Sequence, residues 1–235
     1  MRNGGSAMMD AMSNRTEVEA GGIDLAVDMP LFDGIFTVGV NGDQSNHDAN
    51  TTMTDTSAMN NGFMGGMQMA ASGDTMEMNF FNGVERDRYS FFTEWSGAIS
   101  DNVSLDLGAR YTHTWSDAGR VTGGMNMTDA NGDMTSGMTD RVNFNAADRG
   151  RNFNEVDLAA VLRYNFSSTL DVEVGLGRKN RAPTYQELYL WTKNRAVGGF
   201  ADGNTYLGNL ELELETAYQF YLGFDWHTDN AYIAP

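Results

Sequence analysis

The chain has 235 residues, 41% of them hydrophobic, which is enough for one domain or for part of a larger one. Its 15 Lys plus Arg stand against 32 Asp plus Glu, a net charge of -17. That balance argues against nucleic acid as a partner and for cationic ligands or metal ions. With no cysteine, disulfide scaffolds, thiolate metal sites and cysteine nucleophiles are excluded.

No run of about 18 apolar residues exists, so no transmembrane helix is expected. Barrel strands alternate apolar and polar residues, and their average hydropathy stays low. Met1-Arg2-Asn3-Gly4 leads into polar sequence without the apolar core of a signal peptide. The expectation is either a cytosolic chain or one whose true N-terminus lies elsewhere.

Period-two alternation recurs along the chain. Weaker strands are expected near 16–29, 35–46 and 84–99. The first clear strand puts Val103, Leu105, Leu107, Ala109, Tyr111, His113 and Trp115 on one face, with Ser104, Asp106, Arg110 and Thr112 on the other. The next sets Val156, Leu158, Ala160, Leu162, Tyr164 and Phe166 against Asp157, Arg163 and Asn165. Leu170, Val172, Val174 and Leu176 follow, then Tyr218, Phe220, Leu222, Phe224 and Trp226. An eighth strand is expected to open near Asn230.

The connections alternate in length. Short turns fall at Pro30–Gly34, Ser100–Asn102, Ser167–Thr169 and Thr228–Asn230. Long polar segments fall at 47–83, 118–152 and 179–209, and residues 1–15 read as the tail of another. Short turns on one side and long loops on the other are the layout of an outer-membrane barrel. The clear strands have the roughly 9–11 residues that spanning requires. Trp115, Tyr164, Phe166 and Trp226 sit near strand ends, where interfacial girdles lie. A soluble antiparallel sandwich also alternates, but three loops of about 30 residues are uncommon in so small a domain.

Residues Gly177-Arg178-Lys179-Asn180-Arg181-Ala182-Pro183-Thr184-Tyr185-Gln186-Glu187-Leu188-Tyr189 resemble the R-A-P-[ST]-x-x-E-L-Y segment of TonB-dependent outer-membrane receptors. Gly208-Asn209-Leu210-Glu211-Leu212-Glu213-Leu214-Glu215 is similar to that family's G-N-P-x-L-x-P-E, with Leu210 and Leu214 where proline is usual. Leu190-Trp191 and Gly198-Gly199-Phe200-Ala201-Asp202-Gly203-Asn204-Thr205-Tyr206 look like the copper-receptor branch. The resemblance implies an all-β fold, a 22-stranded transmembrane barrel with an N-terminal plug in its lumen. Of that barrel this chain would supply seven to eight antiparallel strands over residues 1–235. It further implies an outer-membrane location and energised transport through TonB, which engages the plug. No plug or TonB box is visible here, and the chain ends on Ala234-Pro235 rather than a terminal aromatic. It therefore reads as an internal or truncated fragment. Arg181, Pro183 and Glu187 would shape the motif's loop.

Methionine carries the chemical signal. Apart from Met1 and Met29, fourteen methionines fall in segments read as loops. The clusters are Met8, Met9 and Met12; then Met53, Met59, Met64, Met67, Met69, Met76 and Met78; then Met125, Met127, Met134 and Met138. Thioether sulfur is a soft, neutral ligand that selects Cu(I). M-x-M in extended chain puts both side chains on one face, and Gly65, Gly66, Gly123 and Gly124 let the backbone fold around an ion. The chosen ligands are Met64, Met67, Met69, Met76 and Met78, then Met125 and Met127, with His47 beside Asp43 and Asp48 read either as a further metal ligand or as a solvated surface histidine. Packing of loops by methionine is the alternative, but the neighbouring Asn, Gly, Thr, Asp and Ser offer little apolar surface. His113 points toward lipid or the upper interface, and His227 sits at a short turn. The stretch Asp129–Asp133 lacks the glycine a calcium loop requires, Met134 standing there.

No catalytic motif is found, so an enzyme is not expected. The expected function is TonB-dependent copper uptake across the outer membrane, with copper as cargo, no organic cofactor, and the TonB complex and membrane lipid as partners. The alternatives are a siderophore or cobalamin receptor and a non-transporting structural barrel. The first would need aromatics and arginines, which are sparse in 47–83 and 118–152.

Overall fold

A computed structural model describes residues 11–54, 75–123, 136–192, 206–228 and 231–233. The strands are β1 (Ala11–Leu31), β2 (Gly34–Thr54), β3 (Thr75–Ser100), β4 (Val103–Asp117), β5 (Arg151–Ser167), β6 (Leu170–Arg181), β7 (Glu215–Thr228) and β8 (Ala231–Ile233). Two helices, α1 (Ser136–Ala146) and α2 (Tyr185–Tyr189), lie in the long connections. The strands form one sheet in chain order, every neighbour antiparallel. Each strand therefore pairs with the next along the chain, as an up-and-down barrel wall requires.

The sheet's two faces differ in chemistry because side chains alternate and directly opposed residues share a face. One rung runs Phe36, Trp95, Leu107, Ala160, Leu176, Phe220 across β2 to β7. Another runs Val40, Phe91, Tyr111, Val156. These residues form a continuous apolar band with no protein layer over it among the described residues; Phe220 remains 68% exposed. Water would make such a surface costly, whereas hydrocarbon covers it at no loss. Aromatic residues flank the band. Tyr89 and Tyr111 lie toward the long connections, and Tyr164 and Phe166 (ring centroids 6.1 Å apart) with Trp226 lie toward the short turns. From Val103, opposite Tyr164, to Tyr111 is a span of nine residues, within the roughly 9–11 a tilted membrane strand needs.

The other face is polar and internally tied. Ser96 donates to Asp106, Arg163 bridges Asp106 and Glu173, and the Tyr221 hydroxyl donates to Glu173 at 2.5 Å. This chain of contacts links β3, β4, β5, β6 and β7. Arg88 makes a two-pronged pair with Asp43 between β3 and β2. Exposed ion pairs are worth little individually, but here they pin strand register, which a one-residue slip would destroy.

The turns at one end fall where the alternation places them, each joining its strands through two residues. The long segments need correction. Residues 47–54 and 75–83, expected within one loop, extend β2 and β3, and β1 begins at Ala11 rather than near 16. Residues 118–152 contain α1 and the start of β5, and 179–209 contain the end of β6 and all of α2. The physical reason is that β1, β2 and β3 run past the apolar band. Beyond it no face meets hydrocarbon, so backbone pairing continues without regular apolar–polar alternation. Consequently Met12, Met53, Met76 and Met78 lie in strands and Met138 lies in α1, not in loops.

A single sheet has no second layer to pack against, so the buried core lies elsewhere. It gathers at the long-connection end from Ala49, Phe80, Phe81, Val84, Ala118, Val121, Phe144, Phe153, Ala182, Leu188, Tyr189, Leu190 and Trp191. The outer ends of the strands and the long connections thus fold into a cap with its own core.

Candidate functional site

The cap is assembled around α2. Thr184 is its N-cap: the hydroxyl accepts from the Glu187 N–H at 3.3 Å, and the Glu187 carboxylate accepts from the Thr184 N–H at 2.7 Å. This reciprocal pair satisfies two helix-end donors. Arg181 then clamps the arrangement, donating to Glu187 at 2.9 and 3.0 Å and to Glu215 at 2.9 and 2.7 Å. The Ala182 N–H donates to Glu155, which also accepts from Thr114. Pro183 is buried. The segment after α2 inserts: Tyr189 is fully buried with its hydroxyl donating to the Arg149 carbonyl at 3.0 Å, and the Trp191 indole donates to the Asn79 carbonyl at 2.9 Å.

Gly208 closes this unit. Its N–H donates to the Leu190 carbonyl at 2.6 Å, and Asn209 donates to the Glu187 carbonyl at 2.8 Å. A Cβ at Gly208 would fall 2.7 Å from the Leu190 nitrogen and 2.8 Å from the Leu188 oxygen, both backbone atoms, so only glycine allows the approach. Leu210 and Leu214 pack against the core, which gives the two proline replacements an apolar role. Arg181, Pro183, Glu187, Gly208, Asn209 and Glu215 are therefore one structural device. It docks the end of β6 and the start of β7 onto the cap.

Helix α1 is held by backbone-directed side chains. Asn145 exchanges two bonds with Val121, accepting at 2.9 Å and donating at 2.8 Å. Arg149 donates to the carbonyls of Ala118, Phe144 and Ala147 at 2.7 to 3.0 Å, satisfying acceptors that a helix C-terminus leaves open. Gly123, at φ 81, lies against the backbone of Glu77 and Met78. Neither Arg149 nor Asn145 belongs to a motif, and sequence reasoning gave no signal for them.

The structure reaches the chosen metal ligands unevenly. Met64, Met67, Met69, Met125 and Met127 lie outside the described residues. Met76 stands in β3, opposite Met53 of β2. Met78 is half-buried and packs against the cap core. His47 stacks on Tyr185, ring centroids 4.2 Å apart and planes 16° apart, with Nε2 3.2 Å from the Ser45 hydroxyl and Nδ1 buried without a partner. Burial first, then the Arg86 charge, push its pKa below the ordinary imidazole value. His47 is therefore a neutral ring wedged between β2 and α2, and Tyr185 is the contact that sequence reasoning missed. Among the described residues no group of three His, Asp or Glu side chains could hold a metal ion.

Glu187 supplies a pH test of the clamp. Hydrogen bonds from Arg181 first, then from Thr184, hold its carboxyl at about 2, below the ordinary 4.5, with burial working against them. A depressed folded-state pKa means the clamp's stabilisation is complete above the unfolded value and is lost as pH falls from there through about 2. Hydrogen-exchange protection of residues 185–191 is expected to decline over that window. Glu187→Gln retains the cap geometry but loses the Glu187 ion pair, so it should show lower protection at neutral pH and a smaller acid step, with the Arg181–Glu215 pair still titrating. A wild-type profile flat across the window would contradict the clamp.

Comparison with known proteins follows the geometry. The family model described as TonB dependent receptor-like, beta-barrel matches residues 9–234. Among solved structures, one titled copper transporter OprC superposes with a TM-score of 0.62 at 16% sequence identity. The match covers 96% of this chain but 30% of that one, so the present chain spans less than a third of its length. At that identity the likeness establishes shared fold. No curated protein matches this sequence.

Proposed function

Since the chain belongs to the TonB-dependent receptor family, as part of its β-barrel, we propose that it forms wall and outer cap of an outer-membrane copper receptor. Methionines at the outer end capture copper, as Cu(I), for TonB-energised passage through a plug-gated barrel. The apolar band contacts membrane lipid, the polar face lines the lumen, and the long connections are extracellular.

The observation that carries this reading is the placement of methionine. Met12, Met53, Met76 and Met78 all lie at the long-connection end of their strands. The methionines of 59–69 and 125–134 fall in the sequence between β2 and β3 and between β4 and β5. Neutral thioethers favour Cu(I) over hard ions and bind without displacing protons. The solved structure titled copper transporter supports the cargo by analogy of fold.

A siderophore or cobalamin receptor is the second reading. It would need aromatic side chains presented to a bulky ligand. Phe80, Phe81, Phe144, Tyr189 and Trp191 are instead buried inside the cap, which favours a small cargo.

The test is a competitive Cu(I) titration of the protein and of a variant with Met64, Met67, Met69, Met76 and Met78 changed to leucine. Leucine keeps volume and apolarity while removing sulfur. Tight binding that the variant loses is the expected outcome. Equal, weak binding by both would return these methionines to a packing role and reopen the cargo to siderophores.

A further inference from the structure

The outward face of β1 to β4 changes character in three steps beyond the apolar band. The band ends on the rung of Leu25, Val40, Phe91 and Tyr111. The next rung holds Ile23, Gly42, Tyr89 and His113, then come Gly21, Gln44, Asp87 and Trp115, then Glu19, Asn46, Glu85 and Asp117. Residues two apart on a strand share a face, so all four rungs lie on the band's side of the sheet.

The first step is a groove of about 650 Å³. Gly21 and Gly42 bring no side chain to it, and Ile23, Val40, Tyr89 and Phe91 wall it. A Cβ at Gly21 would meet nothing within 4 Å, so the floor there is open. The groove continues the band without a break, since Val40 and Phe91 belong to both. The second step is a level of donors. The Tyr89 hydroxyl accepts from the Gln44 amide at 3.3 Å, which leaves its own proton and the second amide proton to donate. The third step is a rim of carboxylates, Asp87 followed by Glu19, Glu85 and Asp117. Glu85 and Asp117 stand directly opposite each other, and like charges so placed cost stability. None of the four has an ion-pair partner among the described residues. Arg15, on the same face of β1, is held by Glu17.

Each step matches a part of a lipid. Successive rungs on one face are about 7 Å apart, and the headgroup layer adds roughly 5–7 Å to each side of the hydrocarbon. Asp87, one rung outward from Tyr89, therefore stands at headgroup height. Carboxylates repel an anionic headgroup and attract an ammonium. Among the described residues no group of three acidic side chains could hold a metal ion, so a divalent bridge to a phosphate is the poorer match.

From this geometry we infer that the groove seats one phospholipid with an ammonium-bearing headgroup. An acyl chain lies over Gly21 and Gly42, the phosphate meets Tyr89 and Gln44, and the ammonium meets Asp87 and Glu85. The inference rests on the reading of the apolar band as the lipid face and is independent of the cargo. It goes beyond general contact with the membrane by assigning one lipid chemistry to one place.

The protein, purified from outer membranes in detergent with a chelator present, is titrated with phosphatidylethanolamine and with phosphatidylglycerol of the same acyl chains. Native mass spectrometry counts the retained lipid. The wild type is expected to keep one phosphatidylethanolamine at a concentration at least roughly tenfold below that needed for phosphatidylglycerol. Gly21→Leu fills the open floor and should lose both lipids. Glu85→Gln together with Asp87→Asn should keep lipid but lose the preference. Glu94→Gln, on the opposite face of β3, should change nothing. No retained lipid, equal retention of the two lipids, retention by Gly21→Leu, or a preference that survives the rim variant would overturn the site. A preference lost in Glu94→Gln as well would also overturn it, since net charge rather than the rim would then be responsible. Insertion of the wild type into lipid vesicles separates the two levels of failure: normal insertion confines it to the groove, whereas failed insertion removes the lipid-face reading with it.

Discussion

Tyr189→Ala is expected to open the outer cap while leaving the membrane strands paired. The ring is fully buried, and its hydroxyl holds the Arg149 carbonyl. Arg149 in turn closes the end of α1 and reaches back to Ala118 after β4. Truncating a buried aromatic to alanine costs about 3–5 kcal/mol, and it leaves the Arg149 carbonyl without its donor. The loss is local because the cap core and the apolar band share no packing layer. Hydrogen exchange should show lost protection at 118–123, 136–149 and 182–192, with β4 to β7 unchanged below Tyr111. A uniform loss across the sheet would contradict a separately folded cap.

Leu107→Arg is expected to be the most damaging change in the sheet itself. Leu107 lies on the rung with Trp95, Ala160, Leu176 and Phe220, midway between the flanking aromatics. A cation at mid-bilayer on the lipid face of a barrel costs about 2–4 kcal/mol. Ala159→Arg is the control. It sits opposite Gly108 and Gly177 on the polar face, where an arginine meets lumen water, and should shift stability by no more than about 0.5 kcal/mol. Denaturant titration of folding into lipid vesicles measures both. Comparable costs at the two positions, or a larger one at Ala159, would refute the assignment of faces.

The central strands were legible because their two faces contact different media. Leu105, Leu107 and Leu162 on one side, and Asp106 and Arg163 on the other, write the alternation directly into the sequence. Beyond the band that contrast disappears. Asn50, Thr51, Thr52 and Glu77 carry no facial pattern, so the outer halves of β2 and β3 read as loop although their backbones pair. The cap core was hidden for a different reason. Its members come from segments far apart, such as Ala49, Phe80, Val121, Phe144 and Trp191, and no local period connects them. Helix α1 is short of apolar residues and stands on Asn145 and Arg149 contacts with backbone, which leave no trace in periodicity. The motif around Arg181 was visible as resemblance. Its physical content, a capped helix clamped between Glu187 and Glu215, emerged only from the geometry. The methionine clusters were plain in composition, whereas the register that sets Met53 opposite Met76 is not revealed by spacing within one segment.

Copper accumulation by copper-starved cells tests the proposed function most directly. Three strains are compared under energised conditions: one carrying the protein, one lacking it, and one carrying the five-leucine variant at equal outer-membrane abundance. The account predicts that accumulation falls in the strain lacking the protein and in the variant strain, with ferric-siderophore uptake unchanged in both. Unchanged copper accumulation, together with a loss of ferric-siderophore uptake in the strain lacking the protein, would contradict it.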